Sequence, residues 1–327
     1  MDPVRDQYGR RLDYLRLSVT DRCNLRCRYC MPETGLNLAD SHHVLTWDEM
    51  LRLCRIFCDL GVRKVRLTGG EPLVRAGLAE FAAALRDLPD PPGVYLTTNG
   101  SLLEGQLAAL QRAGIDRLNI SLDSLQPDTF ARITRRRDFD SVWRAIEAAD
   151  AAGFELKLNM VVLGGLNDGE ILDFVALTRE RSWTVRLIEA MPFDGQGGRP
   201  ETRLSGDEIL RRIRAEYPLE PVPDGQPGVD TRFQVPGFRG QVGIIYAHSR
   251  SFCGSCSRLR VSARGELRTC LYGAPALNLR ELLRGGAGDG DLVAAVRGVV
   301  GRRARDGVEA QAIVGQDCQS SMAEIGG

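Results

Sequence analysis

Short runs in which apolar residues recur at every second position alternate along the chain with longer runs of helical periodicity. The period-two runs predict β-strands, and the longer runs predict amphipathic helices. Strands and helices in strict alternation are typical of an α/β fold built on a parallel barrel or an open parallel sheet. The predicted strands lie at about 12–20, 63–68, 94–98, 116–122, 154–162 and 184–190, and the predicted helices at about 46–60, 77–88, 104–113, 141–152 and 168–181.

Polar residues gather where these predicted strands end. The carboxyl ends of parallel strands meet at one edge of the sheet, which is where such folds bind ligands. Any single polar strand end could be ordinary loop chemistry, whereas six together predict a binding site at that edge. The segments are Thr20, Thr68–Pro72 with its glycine pair, Thr97–Gly100, Ser121–Asp123, Lys157 with Asn159, and Glu189–Met191.

Composition narrows the functional classes. The 327 residues are 43% hydrophobic, which is enough for a barrel and a smaller second domain. The net charge is zero, so no overall field indicates a nucleic acid polymer or a membrane surface as partner. The N-terminus lacks the apolar core of a signal peptide, and we expect a cytoplasmic protein. Nine cysteines in a reducing compartment favour metal binding over disulfides.

Three cysteines follow the first predicted strand at CxxxCxxC spacing: Cys23, Cys27 and Cys30. Three thiolates can hold three irons of a four-iron cluster, which leaves the fourth iron open to a small molecule. A zinc site completed by His42 or His43 is the alternative, but this is not the spacing of a zinc finger. The loop therefore predicts an iron–sulfur cluster with an open iron.

A second triad lies near the other end of the chain. Cys253 and Cys256 form a CxxC pair, and Cys270 follows after thirteen residues. A zinc knuckle completed by His248 is a serious competitor for this spacing taken alone. The first triad shifts the balance towards a second iron–sulfur cluster. The other cysteines are interpreted as packing thiols (Cys54, Cys58) or have no interpretable partner spacing (Cys318).

These motifs in combination resemble a known family. The cysteine loop followed by Thr-Gly-Gly-Glu-Pro resembles the radical S-adenosylmethionine (SAM) superfamily. The segment Arg-Leu-Ser-Val-Thr-Asp-Arg-Cys-Asn at 16–24, the CxxC-x13-C triad and the closing Gly-Gly resemble the GTP 3′,8-cyclases of molybdenum cofactor biosynthesis over nearly the whole chain. The resemblance implies a partial, TIM-like (β/α)6 barrel over 1–191 with the first cluster at its open top. It also implies a smaller C-terminal module over 192–327 that brings a second iron–sulfur cluster across the barrel mouth.

The resemblance implies roles for individual residues, while roles within 192–204 stay open. Two [4Fe–4S] clusters would be held by Cys23, Cys27 and Cys30 and by Cys253, Cys256 and Cys270. The positions that match the SAM-lining residues are Tyr29, Gly70, Ser121 and Met191. Those that match nucleotide contacts are Arg16, Arg66, Thr97, Lys157, Arg258, Leu259 and Arg260, with Lys64 and Arg186 as further basic residues. The implied catalytic residues are Arg16, Gly326 and Gly327.

Two of these features can also be interpreted from the chemistry of the residues alone. A triphosphate needs several cations, and Arg258 and Arg260 lie on one face if their segment is extended, although a solvated strand edge is the alternative. The terminal glycines, which would ordinarily fray, have no side chains and could thread into a crowded cavity. The basic run at 135–137 is interpreted as a solvated surface turn.

The resemblance implies that a 5′-deoxyadenosyl radical removes the C3′ hydrogen of GTP, and that the ribose radical closes onto C8 of guanine. It implies as partners GTP, a flavodoxin- or ferredoxin-like electron donor and a downstream cyclic pyranopterin monophosphate synthase, and it leaves a homodimer open. The sequence leaves two alternatives open: a peptide-modifying radical enzyme with an auxiliary cluster, and a non-catalytic iron–sulfur or zinc module.

Overall fold

The computed structural model describes residues 2–35, 40–191, 203–223, 229–247, 252–314 and 321–325. Six parallel strands form its centre, and each is hydrogen-bonded to the next in chain order. They are β1 (Tyr14–Ser18), β2 (Lys64–Thr68), β3 (Gly93–Thr98), β4 (Arg117–Ser121), β5 (Glu155–Val162) and β6 (Thr184–Glu189). The predicted α/β architecture with its parallel sheet is confirmed.

Six helices connect these strands: α1 (Trp47–Asp59), α2 (Leu78–Arg86), α3 (Leu107–Arg112), α4 (Pro127–Thr134), α5 (Phe139–Ala151) and α6 (Ile171–Ala176). Helix α1 begins with a capping box, in which the Thr46 hydroxyl accepts from the Glu49 amide and the Glu49 carboxylate accepts from the Thr46 amide. The sequence pattern missed α4, a short helix that begins at a proline in its first turn. No helix in the described ranges is long and apolar enough to cross a bilayer.

The strands carry apolar side chains on one face and polar side chains on the other. On β1, Leu15 and Leu17 are completely buried in the hydrophobic core, and the alternate positions are Tyr14, Arg16 and Ser18. A packed barrel would fill its interior with branched apolar side chains. Here the inner face is polar instead, so the barrel offers room and hydrogen-bonding groups to a ligand. Further members of this face are Arg66, Thr68, Tyr95, Thr97, Asn119, Ser121, Lys157, Asn159 and Arg186.

The C-terminal part of the chain extends the same sheet at both edges. Strand β9 (Gln241–Ile245) lies parallel to β6, and β10 (Arg258–Val261) lies parallel to β1. The sheet is therefore hydrogen-bonded across the predicted boundary after residue 191, and the division into two domains stays a prediction. The remaining elements are β7 (Glu220–Pro221), β8 (Thr231–Gln234), β11 (Glu266–Arg268), β12 (Leu277–Asn278), α7 (Gly206–Arg214), α8 (Leu279–Arg284), α9 (Asp289–Val300), α10 (Gly307–Val314) and α11 (Met322–Ile325).

The cysteines outside the two triads follow the expectation where they are described. Cys54 and Cys58 are both buried in α1, and burial raises the pKa of both thiols. They are packing residues, as predicted. Cys318 lies outside the described residues.

Candidate functional site

The first cysteine triad lies on the loop that follows β1, and the end of α4 holds this loop. The amides of Arg26 and Arg28 donate to the carbonyls of Thr134 and Ile133, each at 3.0 Å. Arg135 ends α4 in the left-handed conformation, with φ of 58°, and its guanidinium donates to the Arg26 carbonyl at 2.8 Å. The interpretation of the 135–137 run as a solvated turn is therefore wrong for Arg135, which is half-buried against the cysteine loop.

The glycine pair after β2 packs against the segment that leads into the cysteine loop. A Cβ on Gly69 would lie 2.4 Å from the Thr20 carbonyl oxygen, and one on Gly70 would lie 2.3 Å from the Arg22 carbonyl oxygen. The Gly70 amide donates to the Thr20 carbonyl at 2.8 Å. Because no side chain fits in this contact, glycine at both positions lets two backbone segments pack directly beside the triad.

Glu71, which follows the glycine pair, fixes the end of β3. Its buried carboxylate accepts hydrogen bonds from the Leu73 amide at 3.0 Å, the Thr98 hydroxyl at 2.8 Å and the Asn99 amide at 2.6 Å. Burial raises the pKa of Glu71 to about 7. The Asn99 side-chain amide lies 3.9 Å from the sulfur of Cys23. The Thr-Gly-Gly-Glu segment thus connects the strand ends to the first triad.

The predicted SAM contacts Tyr29 and Ser121 lie on the same side of the barrel. The Tyr29 hydroxyl donates to the Asp123 carboxylate at 2.8 Å, and the Val161 amide donates to the other carboxylate oxygen at 2.9 Å. Burial raises the pKa of Asp123 to about 6 and raises that of Tyr29 as well. Ser121 is half-buried at the carboxyl end of β4. Because Asp123 engages the Tyr29 hydroxyl, the ring is the part of Tyr29 that remains for a ligand.

The thiols of the first triad have an environment that disfavours their charged form. Burial raises the pKa of Cys23, and it raises that of Cys27 further, with the nearby Asp123 adding to the effect. Metal ligation requires thiolates, so binding a cluster here releases protons. The charge of the metal is needed to keep these sulfurs ionised.

The second triad lies at the opposite end of β1 from the first. Cys256 comes directly before β10, whose Arg258 is the register partner of Tyr14, and the Tyr14 amide donates to the Ser257 carbonyl at 3.2 Å. The resemblance placed this triad across the barrel mouth, whereas residues that precede a parallel strand lie at its amino end. Strand β1, whose length from Tyr14 to Ser18 is roughly 13 Å at 3.3 Å per residue step, lies between the two triads.

A buried ion network holds the second triad. Asp6 accepts from Arg10 at 2.6 Å and from Arg303 at 3.3 Å, and the three side chains are 0%, 9% and 3% exposed, respectively. Arg303 also donates to the Cys256 carbonyl at 2.8 Å and to the Cys256 sulfur at 3.1 Å. Arg10 donates to the Cys253 carbonyl at 2.9 Å. Sequence reasoning missed this network because Arg303 lies 297 residues from Asp6 in the chain.

The charged neighbours change the chemistry of Cys256. Burial alone would raise its pKa, but Arg258 and Arg303 outweigh burial and lower the pKa to about 6. Burial raises the pKa of Cys270, as it does in the first triad. One thiol of the second triad is therefore prepared as a thiolate before any metal binds.

Arginines line the inner face between the two triads. Arg16 is in register with Arg260 on one side and with Arg66 on the other, and Arg260 is in register with Arg268. The row spans four adjacent strands: β11, β10, β1 and β2. Burial, together with Arg66 and Arg258, lowers the pKa of Arg16 to about 10. An anion bound in the barrel would offset the electrostatic repulsion among these guanidinium groups.

Tyr14, which sequence reasoning missed, lies among these arginines. The Arg66 Nε atom donates to its hydroxyl at 2.5 Å. Burial alone would raise the pKa of Tyr14, but Arg66, Arg16 and Arg258 lower it to about 7. The sequence does contain a signal for this role of Tyr14. It lies two residues before Arg16 on a predicted strand, which places both side chains on one face.

The remaining predicted nucleotide contacts and the two further basic residues differ in their placement. Thr97 and Lys157 lie half-buried on the inner face, and Arg186 lies buried there. Lys64 is exposed at the amino end of β2. Leu259 is an exception to the prediction, because it is fully buried in the hydrophobic core, on the face of β10 opposite to Arg258 and Arg260. Only the backbone of Leu259 is available to a ligand.

Met191, the last predicted SAM contact, lies next to the C-terminal helix α11. It packs against an apolar cluster that contains Tyr272 and the fully buried Ile325, and Cys270 packs against the same cluster. Gly326 and Gly327 lie outside the described residues. The described part of the tail therefore ends beside residues from both halves of the predicted site.

The zinc alternatives can be compared with the geometry. Among the described residues, three potential ligand atoms come within 4.8 Å of one another only in the exposed group Asp40, His42 and His43. Sulfurs bound to one tetrahedral zinc ion lie about 4 Å apart, so neither cysteine triad is that tight. The wider spacing favours a multinuclear cluster. His248, the ligand of the second zinc alternative, lies outside the described residues.

Comparison with known proteins decides the family. Residues 17–178 match the radical SAM superfamily, and residues 183–308 match the family Molybdenum Cofactor Synthesis C. The GTP 3′,8-cyclase of Geobacter sulfurreducens is 47% identical over 280 residues, which cover 85% of this chain and 86% of that protein. The chain belongs to the GTP 3′,8-cyclase family.

Molybdenum cofactor biosynthesis protein 1 of Bos taurus is 45% identical over 304 residues, which cover 92% of this chain and 48% of that protein. The cyclase-family chain thus spans about half the length of this relative.

A solved structure confirms the fold assignment of the cyclase-family chain. Streptococcus suis SuiB superposes with a TM-score of 0.62 at 13% identity, covering 96% of this chain and 77% of SuiB. This likeness concerns the fold alone. Membership of the radical SAM superfamily implies one four-iron cluster and SAM. The three-thiol loop after β1 fits that cluster, because it offers one ligand fewer than the cluster has irons.

Proposed function

We propose that this chain is a radical SAM lyase that converts GTP to (8S)-3′,8-cyclo-7,8-dihydroguanosine 5′-triphosphate, the first step of molybdenum cofactor biosynthesis. One observation carries the proposal: a row of arginines on a polar inner face connects two triads of cysteines. A radical enzyme acting on an uncharged substrate would have no use for several buried guanidinium groups in register.

The first triad provides the cofactor site. Cys23, Cys27 and Cys30 would hold one [4Fe–4S] cluster, and SAM would occupy the space between Tyr29, Gly70, Ser121 and Met191. The bound cluster and SAM together supply a 5′-deoxyadenosyl radical. The chain's own residues orient SAM and exclude water, since a reactive radical must meet only the ribose.

The arginine row provides the substrate site. Arg16, Arg66 and Arg260, with Arg258, Thr97 and Lys157, would bind the triphosphate and ribose, and Lys64 and Arg186 would add charge at the edges. The triad Cys253, Cys256 and Cys270 would hold a second [4Fe–4S] cluster, which would supply one iron without a cysteine ligand for binding the purine. Arg303, at 3.1 Å from the Cys256 sulfur, would position this cluster and stabilise its thiolate.

The tail completes the site in this proposal. The buried position of Ile325 beside Met191 supports a path for Gly326 and Gly327 into the barrel. Removing both glycines should leave iron content and SAM cleavage intact and should stop cyclisation. Anaerobic iron analysis, 5′-deoxyadenosine and the nucleotide product report on these separately. Normal cyclisation by the shortened protein would refute a catalytic role for the tail.

The same function requires partners. An electron donor of the flavodoxin or ferredoxin type would reduce the first cluster, and cyclic pyranopterin monophosphate synthase would consume the product. We propose a cytoplasmic location, where GTP and reduced carriers are available. A homodimer is compatible with this scheme and is tested by the molar mass in solution.

The direct test is anaerobic incubation of the reconstituted protein with dithionite, SAM and GTP, followed by identification of the nucleotide product. The proposal predicts the cyclised triphosphate together with 5′-deoxyadenosine and methionine. A peptide-modifying enzyme would cleave SAM without binding GTP, so a GTP titration by calorimetry separates the two functions. Cleavage of SAM with unchanged GTP and no GTP binding would overturn the proposal.

A further inference from the structure

Five arginines, four of them exposed and Arg135 half-buried, lie beside the first cysteine loop. A surface groove beside the end of α4 is lined by Arg132, Arg135, Arg136 and Arg137, with Asp128 as its acidic member. Two of the arginines contact the loop itself, since Arg135 donates to the Arg26 carbonyl at 2.8 Å and Arg136 to the Asn24 carbonyl at 3.3 Å. The exposed Arg28 belongs to the same loop, and its amide donates to the Ile133 carbonyl. The term arginine patch is used here for Arg28, Arg132, Arg135, Arg136 and Arg137.

The arginine patch differs from the rest of the described surface in its charge balance. Within the described ranges, none of its five guanidinium groups lies within 4 Å of a carboxylate, although the whole chain carries 43 basic and 43 acidic residues. Elsewhere, surface arginines are commonly paired with acids, as in Arg52–Asp289, Arg63–Asp90, Arg117–Glu155, Arg181–Asp150, Arg212–Asp168 and Arg284–Glu49. A local positive field therefore surrounds the first cysteine loop of a chain whose net charge is zero.

We propose that the arginine patch is the docking surface for a small acidic protein that carries single electrons to the first cluster. This inference rests on the proposed function. In the transfer, the carrier is oxidised by one electron and the cluster is reduced by one, and no proton or group moves. Complementary charge accelerates such encounters and orients the carrier, and the direct contacts of Arg135 and Arg136 with the cysteine loop keep the docked carrier close to the cluster.

Two other anionic partners fit the patch less well. Single-stranded nucleic acid is bound by aromatic side chains that stack on bases, and the groove is lined by no aromatic residue among those described. A membrane-binding surface needs apolar side chains that insert beside the basic ones, and the exposed large hydrophobic residues Tyr8, Leu102, Val308 and Ile313 are not among the residues that line the groove. A carrier protein needs only the charge and the proximity to the loop.

The test compares two double charge reversals. Arg132→Glu with Arg137→Glu changes the patch at two side chains with no described hydrogen bond, and it leaves Arg135 and Arg136 to hold the loop. Arg112→Glu with Arg239→Glu is the matched control, because both are exposed arginines with no described side-chain partner. Each protein is titrated anaerobically with an acidic flavodoxin, and SAM cleavage is measured with either reduced flavodoxin or dithionite.

The patch variant should bind flavodoxin at least about tenfold more weakly at low ionic strength and lose a similar factor in flavodoxin-driven SAM cleavage. Its dithionite-driven cleavage should match that of the wild type, and the control pair should behave like the wild type in both assays. Equal flavodoxin binding by the patch and control variants would overturn the inference. It would also be overturned if the patch variant lost binding to RNA or anionic vesicles while its flavodoxin binding stayed unchanged. Failure of the dithionite reaction in the wild type would instead count against the proposed function.

Discussion

The two cysteine triads each offer three thiols, but the charges beside Cys27 and Cys256 differ in sign. Burial and the nearby Asp123 raise the pKa of Cys27 in the first triad, whereas Arg258 and Arg303 lower that of Cys256 in the second to about 6. Near the sulfurs of the first triad, the carboxylates of Glu71 and Asp123 add to the effect of burial. The arginine patch instead contacts backbone carbonyls of the loop. Ligand spacing alone does not reveal such a difference, because it arises from residues distant in sequence.

The contrast suggests a division of labour. A site rich in acids favours a cationic ligand such as the sulfonium and amino groups of SAM. A site rich in arginines favours an anionic ligand such as a triphosphate. The polar inner face of β1 connects the two sites over five residues, so each ligand can be bound where its charge is stabilised and still meet the other.

The largest effect should come from removing one thiol of either triad. Two four-iron clusters predict about eight irons per chain, and we expect about four in either Cys27→Ala or Cys256→Ala. Only Cys27→Ala should abolish SAM cleavage, because the second triad has no part in that step. Iron content and 5′-deoxyadenosine are the measurements, with Cys54→Ala as the control for a cysteine outside both sites. Full SAM cleavage by Cys27→Ala would show that the first triad does not serve SAM cleavage, and would contradict the division of roles between the two triads.

Breaking the ion network should affect the second triad alone. Arg303→Gln leaves Asp6 with one fewer partner in a buried setting, and removing one partner of a buried ion pair costs about 3–5 kcal/mol of unfolding free energy. The exposed neighbour Arg302 gives the control variant Arg302→Gln, for which we expect no change. Urea unfolding measures the free energy, and alkylation of the metal-free protein follows the Cys256 thiolate.

The pKa of Cys256 should rise in Arg303→Gln, so that its alkylation at pH 7 slows while that of the first triad does not. Unchanged alkylation of Cys256 would show that Arg303 does not set its ionisation. Loss of iron from the first triad would show that the two sites are not separately supported.

A smaller effect should appear in the titration of Tyr14. Its folded pKa of about 7 lies below the usual value of 10, so its contribution to stability is complete above pH 10 and is lost as the pH falls through 7. Tyrosinate absorbance of the metal-free protein should show one group titrating near pH 7. The group should be absent in Tyr14→Phe and present in Tyr8→Phe. Added GTP should raise this pKa, because the triphosphate offsets the arginines; a pKa unaffected by GTP would place the nucleotide elsewhere.

The sequence was informative where the signal is local. The six strands of the parallel core follow from period-two runs, and the capping box of α1 follows from Thr46 and Glu49. Helix α4 was missed because its eight residues begin at a proline and lead into a run of arginines, a pattern that also fits a loop. Arg135 was misinterpreted because its contacts with the cysteine loop depend on that helix. Local reasoning could not find the buried network of Asp6 and Arg303, since ion pairs between distant segments leave no periodic trace.

The position of the second triad shows the same limit. Cys256 lies at the amino end of the barrel because β10 pairs with β1 in the parallel direction. A local sequence pattern cannot predict the pairing of strands that are more than 200 residues apart. Likewise, Leu259 looked like part of a nucleotide-binding run. Its burial in the core became visible only when the alternation of β10 was placed in the sheet.

The central claim is that the arginine row between the triads binds the triphosphate, and equilibrium GTP binding by anaerobic calorimetry tests it most directly. Arg260→Gln and Arg16→Gln should each weaken binding by about 10- to 150-fold, since a hydrogen bond to a charged group contributes about 1.5–3 kcal/mol. The exposed control Arg112→Gln should bind GTP like the wild type. Equal affinity in all four proteins would contradict the account.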